Sequence, residues 1–313
     1  MKTAYRSMNR KFIFFINPIS GTKNKAALKP LIEKRMAKEN FPFQFNDTRI
    51  DGRYDFLPAL INEQKITDII ICGGDGTVNQ VSSFLVNVDV NVGIIPLGSG
   101  NGLAFAAGIS KNASKALDII MNGTASYIDS FYINNKFSCM LCGIGFDAQV
   151  AHDFARQKRR GLATYAKQTM KNFFSAPAYP FIIDVNNNQI KTAAFFICIA
   201  NSNQFGNNVT IAPKASLSDG LLDIVVVNKM SKLNMLYSLL KHIKLGQLQY
   251  VSEKGSSKKG IQYFQTKKIR IANPSLAPLH IDGEPSQTSK HFEIMIVEGA
   301  FRLLRTGIGK SSF

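Results

Sequence analysis

Apolar runs and helical spacings alternate along the first 125 residues of the chain. Four short segments predict strands, at Lys11–Ile16, Phe43–Thr48, Asp68–Cys72 and Val92–Ile95. Helical spacing of apolar residues predicts helices between them, at Lys25–Asn40, Arg53–Gln64 and Gly76–Val86. Continuous apolar strands with helices between them are typical of a parallel sheet covered on both faces. This half therefore predicts an α/β domain.

The pattern changes near Ser126, beyond which predicted strands dominate. They lie at Tyr127–Asn134, Lys136–Cys142, Phe181–Val185, Gln189–Ala200, Leu221–Val227, Lys267–Ala272, Pro278–Ile281 and Phe292–Val297. Two helices interrupt them, one from Ala148 to about Phe174 and one at Lys232–Leu245. Many short strands with few helices are typical of an antiparallel sandwich or barrel. We therefore expect a second, all-β domain, with the boundary at residues 125–128.

The net charge of the chain limits the classes of partner that it could bind but does not select one of them. The 313 residues include 38 Lys and Arg against 21 Asp and Glu, a formal net charge of +17. Such a field favours nucleic acid or anionic lipid headgroups, and a merely solvated surface is the third interpretation. Nucleic-acid-binding motifs are absent from the sequence, so we expect no nucleic-acid partner.

Apolar stretches and cysteines indicate a cytoplasmic, reduced chain without a spanning segment. The longest apolar stretch, Ala193–Ala200, has the length of a buried strand and is too short to cross a membrane. All four cysteines lie in apolar, strand-like runs and are predicted to be core residues: Cys72, Cys139, Cys142 and Cys198.

Three turns rich in small residues each follow an apolar strand of the first half. They are residues 17–22 (NPISGT), residues 73–77 (GGDGT) and residues 96–102 (PLGSGNG). Carboxyl ends of parallel strands share one edge of the sheet, where ligands bind. Exposed backbone N–H groups and hydroxyls in such turns can hold a phosphate. A carboxylate between glycines, as at Asp75, suits orienting a cation or accepting a proton.

In this order, N-P-x-S-G, G-G-D-G-T-x-N and P-L-G-S-G-N resemble the catalytic domain shared by diacylglycerol kinases, sphingosine kinases and their bacterial lipid kinase relatives. More distantly, G-G-D-G-T is similar to a motif of NAD kinases and 6-phosphofructokinases. The resemblance continues through residues 143–148, 211–213, 218–223 and 281–284 and covers nearly the whole chain. Ser99 and Gly102 give the third turn a form nearer to that of sphingosine kinases, which leaves the lipid acceptor open.

The resemblance implies a fold and a set of ATP-binding residues. The fold would be a Rossmann-like α/β domain of the NAD kinase and phosphofructokinase type, residues 1–127 with residues 298–313 returning to it, and an antiparallel β-sandwich, residues 128–297. The implied nucleotide-binding residues are Asn17, Pro18, Ile19, Ser20, Gly21, Thr48, Gly73, Gly74, Asp75, Gly76, Thr77, Asn79, Ser99 and Asn101.

The resemblance also implies a Mg²⁺ loop and a catalytic base. The cation would be bound by the side chain of Asp219 and the carbonyls of Ser216 and Leu221, with Asp129 joined through water. Glu284 matches the residue that takes the proton from the lipid hydroxyl. Asp75 is the alternative base, and otherwise it would lie near the metal and the phosphates.

These features together predict an ATP-dependent lipid kinase that phosphorylates the hydroxyl of a membrane lipid such as diacylglycerol or a sphingoid base. The alternatives are a soluble-metabolite kinase of the NAD kinase type and a catalytically inactive lipid-binding relative. Reversible contact with an anionic membrane is expected at the basic residues 155–161 together with Tyr165, Lys167, Lys171, Phe173 and Phe174 downstream. This helix could equally be solvated and turn its aromatic side chains to the core. The protein would then be cytoplasmic and peripherally membrane-associated. The sequence leaves open whether it forms a homodimer.

Overall fold

The computed structural model describes residues 9–21, 26–157, 162–204, 211–231, 233–234 and 260–306. The chain divides into two compact units. The first comprises Met1–Ile128 and Gly299–Phe313, and the second comprises Asp129–Glu298.

The first unit is a parallel sheet with helices between its strands. Its strands are β1 (Phe12–Ile16), β2 (Phe43–Asp47), β3 (Asp68–Gly73) and β4 (Asn91–Pro96), and its helices are α1 (Leu28–Glu39), α2 (Leu57–Gln64), α3 (Asp75–Ser82), α4 (Gly102–Ala106) and α5 (Ala113–Asn122). The strand order is β2-β1-β3-β4, and neighbouring strands are parallel. A late strand, β15 (His291–Arg305), pairs in parallel with β4 at Arg302 and Leu303.

Burial explains why β1 is apolar throughout and why β3 and β4 are apolar after their first residues, Asp68 and Asn91. Every residue of these three strands is buried, as expected for a parallel sheet covered on both faces. Because the strands are parallel, the turns that follow β1, β3 and β4 leave the sheet at the same edge. The sheet therefore brings together the three turns singled out in the sequence.

A buried ion pair fixes the opposite edge of this sheet. The Arg10 guanidinium donates to both carboxylate oxygens of Asp68, at 3.0 and 2.6 Å, and to the carbonyl oxygens of Ile120 and Met121. Asn91 donates to the same carboxylate at 3.2 Å. The contacts join the start of β3 to β4 and to the end of α5, and they satisfy charges that would otherwise be costly to bury.

The second unit is built mainly from antiparallel strands. They are β5 (Thr124–Ile133), β6 (Lys136–Ser138), β7 (Leu141–Gly145), β8 (Tyr179–Val185), β9 (Asn188–Ala200), β10 (Leu222–Asn228), β11 (Ile261–Thr266), β12 (Lys268–Ala272), β13 (Leu279–Ile281) and β14 (Glu284–Ser286), with α6 (Phe146–Ala155) and α7 (Leu162–Ser175). The strand order runs β14-β13-β7-β9-β8-β12-β15. Strand β10 pairs with β9 and with β11, and these pairings are antiparallel.

Apolar side chains of these strands form a continuous core. The first half of β9 is largely exposed, whereas its second half, which lies between β7 and β10, is fully buried. Strand β12 alternates between exposed and buried positions, as a strand with one solvated face should. The predicted fold class, an α/β domain followed by an antiparallel β domain, is confirmed.

Several element boundaries differ from the predictions. The single helix predicted from Ala148 to about Phe174 is wrong, because α6 ends at Ala155 and α7 begins at Leu162. A tight turn ends α6: the Gln157 N–H donates to the Phe154 carbonyl, and the Gln157 side chain donates to the Asp153 carbonyl. Helices α4 and α5 and strands β11 and β14 were not predicted. The helix predicted at Lys232–Leu245 lies almost wholly outside the described residues.

All four cysteines are buried and reduced, which confirms that they are core residues. Burial raises the pKa of the Cys72, Cys142 and Cys198 thiols, so these side chains stay protonated. In the part of the chain that the structure describes, no helix has both the length and the apolar character needed to span a membrane.

Candidate functional site

The turns that follow β1, β3 and β4 form a contact cluster in the first unit. They are called here loop 1 (residues 17–21), loop 2 (residues 73–77) and loop 3 (residues 97–101). The Asn17 N–H donates to the Cys72 carbonyl, and the Leu97 N–H donates to the Gly73 carbonyl. Main-chain hydrogen bonds therefore join each outer loop to the end of β3 in the middle.

Loops 1 and 2 are also joined through the side chain of Asn17. Its Nδ2 donates to Thr77 Oγ1 at 2.7 Å, and its Oδ1 accepts the Ile19 N–H at 2.9 Å. One amide thus holds both the path of loop 1 and the buried hydroxyl at the start of α3. Asn17 and Thr77 therefore support the shape of the cluster.

Loops 2 and 3 meet through glycine main chains. A Cβ atom on Gly98 would lie 2.6 Å from Gly74 Cα, and one on Gly100 would lie 2.8 Å from Asp75 Oδ2. Both distances are shorter than real Cβ contacts, so any larger residue would push the loops apart. The Asp75 carboxylate therefore lies against the main chain of loop 3.

Gly21 and Asn101 complete the cluster. Gly21 has φ +67°, and a Cβ atom there would collide with the Leu97 carbonyl oxygen. Asn101, with φ 56°, is 2% exposed, and its amide group accepts from the Gly98 N–H and donates to the Gly98 carbonyl, both at 2.8 Å. Asn101 therefore shapes loop 3 with the same amide group that the sequence suggested for contact with a ligand.

The other predicted nucleotide-binding residues lie on or beside these loops. Ile19 is 88% exposed, whereas Ser20, Gly74, Gly76, Asn79 and Ser99 are half-buried. Pro18 is exposed on loop 1, and Gly73 is buried at the end of β3. Thr48 follows β2, and its N–H donates to the carbonyl of Ile16 on β1. The structure thus brings the predicted residues of the first unit to one sheet edge.

The second unit presents Glu284 just after a tight hairpin turn. Asp282 and Gly283, with φ 49° and 83°, link β13 to β14. Two consecutive positive φ values are typical of the type I′ hairpin turn, for which Asp-Gly is a favoured sequence. Glu284 is the first residue of β14, and its side chain is exposed.

Asp282 is a structural carboxylate, in contrast to its exposed neighbour. Its oxygens accept from Ser138 Oγ at 2.6 Å and from the N–H groups of Cys139, Met140 and Leu141 at 3.0–3.1 Å. These bonds tie the hairpin turn to the segment between β6 and β7. The side chain of Asp282 is therefore occupied, and the carboxylate that faces solvent at this turn is that of Glu284.

Two aspartates, Asp129 and Asp219, shape the loop before β10. Asp129 Oδ2 accepts the Gly220 N–H at 2.8 Å, and its own N–H donates to the Leu217 carbonyl at 2.6 Å. Asp219 Oδ1 accepts the Leu221 N–H at 3.1 Å. These bonds fix the conformation of residues 216–221, the segment that the sequence suggested for Mg²⁺.

Asp223, two residues farther along, was not predicted as a site residue. It is fully buried, Gln265 donates to its Oδ1 at 3.2 Å, and its Oδ2 has no hydrogen-bond partner. Burial, reinforced by the charge of Asp219, raises the pKa of Asp223 to about 7. Burial, with a smaller contribution from Asp129, also raises the pKa of Asp219. A sequence signal existed, because Asp223 is the only polar residue of the predicted strand Leu221–Val227, which ends in Val-Val-Val.

The basic segment that was expected to contact a membrane lies partly outside the described residues. Lys167 and Lys171 are exposed on α7, as is Met170. Phe173 is buried, with its ring edge-on to Phe146 on α6 at a centroid distance of 6.3 Å. Phe173 therefore faces the core, as the alternative interpretation of this helix expects for its aromatic side chains.

Comparison with known families assigns both units. The family described as diacylglycerol kinase catalytic domain matches residues 11–133, and the family described as YegS C-terminal NAD kinase beta sandwich-like domain matches residues 141–305. The chain belongs to the diacylglycerol kinase-like family of lipid kinases.

Individual relatives agree with this assignment at low identity. The chain is 27% identical over 260 residues to a Shewanella frigidimarina protein named "Probable lipid kinase YegS-like", and the match covers 80% of this chain and 81% of that protein. It is 25% identical over 221 residues to the diacylglycerol kinase of Bacillus subtilis, over 69% and 70% of the two chains. A crystal structure of a diacylglycerol kinase from Bacillus anthracis shares the fold, with a TM-score of 0.68, 18% identity and coverage of 95% and 97%.

The raised pKa of Asp223 predicts a pH-dependent stability. The folded chain retains a proton on Asp223 that the unfolded chain releases near the ordinary aspartate pKa of 3.8. Stability from this group is therefore complete below that pKa and is lost as the pH rises toward about 7. The slope reaches at most about 1.4 kcal/mol per pH unit.

Asp223→Asn should remove this slope. Urea unfolding in EDTA between pH 4 and 8 measures it as the difference between the wild-type and variant curves. Asp184→Asn, at an exposed position of β8, is the control and should follow the wild type. Parallel curves for wild type and Asp223→Asn would show that the buried carboxyl does not titrate in this range.

Proposed function

We propose that this protein transfers the γ-phosphoryl group of ATP to the hydroxyl of a membrane lipid, such as diacylglycerol or a sphingoid base. The observation that carries the proposal is the contact cluster of loops 1, 2 and 3 at the carboxyl edge of a parallel sheet. Main-chain N–H groups of glycine-rich turns and small hydroxyls at such an edge suit phosphate groups. Family membership supports the reaction class.

The loop residues would divide into ligands and supports. Backbone N–H groups of Ser20 and Gly74, with the hydroxyl of Ser99, would hold the nucleotide phosphates. Ile19 would contribute its exposed position on loop 1, because its N–H already donates to Asn17. Asn17, Thr77 and Asn101 would hold the loops in place, because their side chains already bond within the cluster. The Asp75 carboxylate, at the start of α3, would orient the cation that accompanies ATP.

Glu284 would act as the general base that takes the proton from the lipid hydroxyl. Its support is its exposed position on a hairpin whose other carboxylate, Asp282, is fully engaged in hydrogen bonds. Phosphoryl transfer needs positioning and charge neutralisation more than covalent catalysis, so one base and one cation site suffice. Asp75 is the alternative base.

A structural Mg²⁺ would bind at residues 216–221 of the second unit. Among the described residues, no group of three or more His, Cys, Asp or Glu side chains is arranged to hold a metal. The proposed ligands are instead one carboxylate, Asp219, and the carbonyls of Ser216 and Leu221, the oxygen donors that Mg²⁺ prefers. The raised pKa values of Asp219 and Asp223 fit a place where a cation would relieve crowded carboxylates.

Access to a lipid requires contact with the membrane. The exposed lysines of α7 and the net charge of +17 support reversible, peripheral binding to an anionic bilayer.

The test of this function is transfer of radiolabelled phosphate from ATP to extracted total lipids, resolved by chromatography. Glu284→Gln should lower kcat by roughly 10²–10⁴-fold, the usual contribution of a general base, while the ATP affinity stays unchanged. Glu293→Gln, on an exposed strand position, is the matched control and should be fully active. Near-normal kcat in Glu284→Gln would move the role of base to Asp75.

The same assay separates the alternatives. A wild-type protein that phosphorylates NAD but no lipid would be a soluble-metabolite kinase. One that binds anionic vesicles without transferring phosphate to any acceptor would be a lipid-binding relative.

Gly98→Ala should weaken ATP binding by roughly tenfold or more, about 1.4 kcal/mol, because the added methyl group would separate loop 3 from Gly74. The measurement is calorimetric titration with Mg-ATP. Gly93→Ala is the control: its methyl group would press on Ile70 and Ile120 in the core of the same unit. It should lower the melting temperature but keep the affinity. Equal ATP affinity in Gly98→Ala and wild type would remove the nucleotide from this cluster.

Mg²⁺ without nucleotide should raise the melting temperature of the wild type, by roughly 2–4 °C for each kcal/mol of binding free energy. Asp219→Asn should abolish this rise, because it removes the only proposed side-chain ligand. Asp75→Asn, in the other unit, should retain it. A rise of equal size in all three proteins would contradict a cation at residues 216–221.

A further inference from the structure

The side chain of His280 is buried beneath the turn that precedes Glu284. His280 lies on β13, opposite Gly143 on β7 and Pro285 on β14, and it is fully buried. Its Nδ1 accepts the N–H of Gly283 at 3.3 Å, and its Nε2 lies 3.3 Å from Asp147 Oδ2. Because Nδ1 accepts, the ring proton of the neutral imidazole lies on Nε2 and is donated to Asp147.

Asp147 is itself fixed in position. It lies in the first turn of α6, is 6% exposed, and accepts the Ala148 N–H on Oδ1 at 2.8 Å. The neighbouring strand leaves space for this pair through Gly143. A Cβ atom on Gly143 would collide with Asp147 Oδ2 and lie 2.5 Å from His280 Nε2. The absence of a side chain on β7 therefore makes room for the two polar groups to meet.

Helix α6 also contacts β13, the strand of His280, at a second point. His152 Nε2 lies 2.8 Å from the carbonyl oxygen of Leu279, the residue before His280. On the other side of the turn, the Asp282 carboxylate is held by the segment between β6 and β7. Both turn residues, Asp282 and Gly283, are thus attached to rigid elements, and the next residue along the chain is Glu284.

We propose that the His280–Asp147 pair is a positioning device for the catalytic base: by fixing the Gly283 peptide, it sets the direction in which Glu284 leaves the turn. This inference rests on the proposed function of Glu284. The two bonds of the imidazole lead to Asp147 on one side and to the turn on the other. The effect of His280 on the reaction therefore passes through the Gly283 N–H.

Two amide substitutions separate the two bonds of the imidazole. In His280→Asn the shorter side chain places an acceptor near Nδ1, which keeps the bond to Gly283 and loses the one to Asp147. In His280→Gln the longer side chain places a donor near Nε2, which keeps the hydrogen bond to Asp147 and loses the hydrogen bond to Gly283. His291→Gln, on an exposed strand position, is the control for changing a histidine.

Positioning and mere structural support predict opposite orders for these variants. If the pair positions Glu284, kcat in the lipid assay follows the Gly283 bond: His280→Gln falls by roughly 10–100-fold, and His280→Asn falls less. The KM for ATP stays within about twofold in both. His280→Asn should be the less stable variant, because it leaves the buried carboxylate of Asp147 without its hydrogen bond to residue 280. If kcat instead fell in the order of stability, the pair would be only structural.

A second comparison uses the base itself. In a Glu284→Gln background, His280→Gln should cause no further loss of kcat, because the group that it positions is already gone. A further loss of roughly 10-fold in that background would refute action through Glu284.

Hydrogen exchange of the Gly283 amide, followed by NMR, tests the contact without any activity. The amide should exchange slowly in the wild type and in His280→Asn and faster in His280→Gln. Equal exchange in all three proteins would overturn the inference even if the protein is an active kinase. A wild type that phosphorylates no lipid would overturn the proposed function and the catalytic role of the pair, while the exchange rates would still decide whether His280 holds the turn.

Discussion

Loops 2 and 3 approach each other through their main chains, and Gly74 and Gly98 meet where Gly98 has no room for a Cβ atom and Gly74 has little. Other contacts of the first unit support this close approach of the two loops. The parallel strands deliver the loops to one edge, Asn17 ties loop 1 to α3, and Asn101 closes loop 3 upon itself. Because the contact is made by backbone atoms, it leaves N–H groups and small hydroxyls, rather than bulky side chains, at the surface of the cluster.

The second unit uses its carboxylates in contrasting ways. The Asp282 carboxylate accepts hydrogen bonds that hold the hairpin turn, whereas the side chain of Glu284, two residues later, is exposed to solvent. Asp223 is buried beside Asp219 with one oxygen unsatisfied, which makes the ionised form costly. The position of an acidic residue in the sequence therefore does not show whether its carboxylate is structural or available for catalysis. The hydrogen-bond donors around the carboxylate decide this.

The sequence predicted those features that depend on local pattern. Continuous apolar runs located β1, β3 and β4, and the glycine turns after them identified the edge where they meet. It could not predict that α6 ends at Ala155, since side-chain and main-chain bonds of Gln157 decide the end. Nor could it reveal the contact between His280 and Asp147, because the two residues are 133 positions apart along the chain. Contacts of that kind depend on strand pairing, which no periodicity encodes.

Burial of the four cysteines gives the protein internal reporters of its own opening. Cys72 is in the strand that carries loop 2, and Cys139, Cys142 and Cys198 belong to the second unit. Buried thiols react with alkylating reagents only when the surrounding structure opens. The rate at which each thiol is modified would thus compare the opening of the two units in one native sample, without any introduced label.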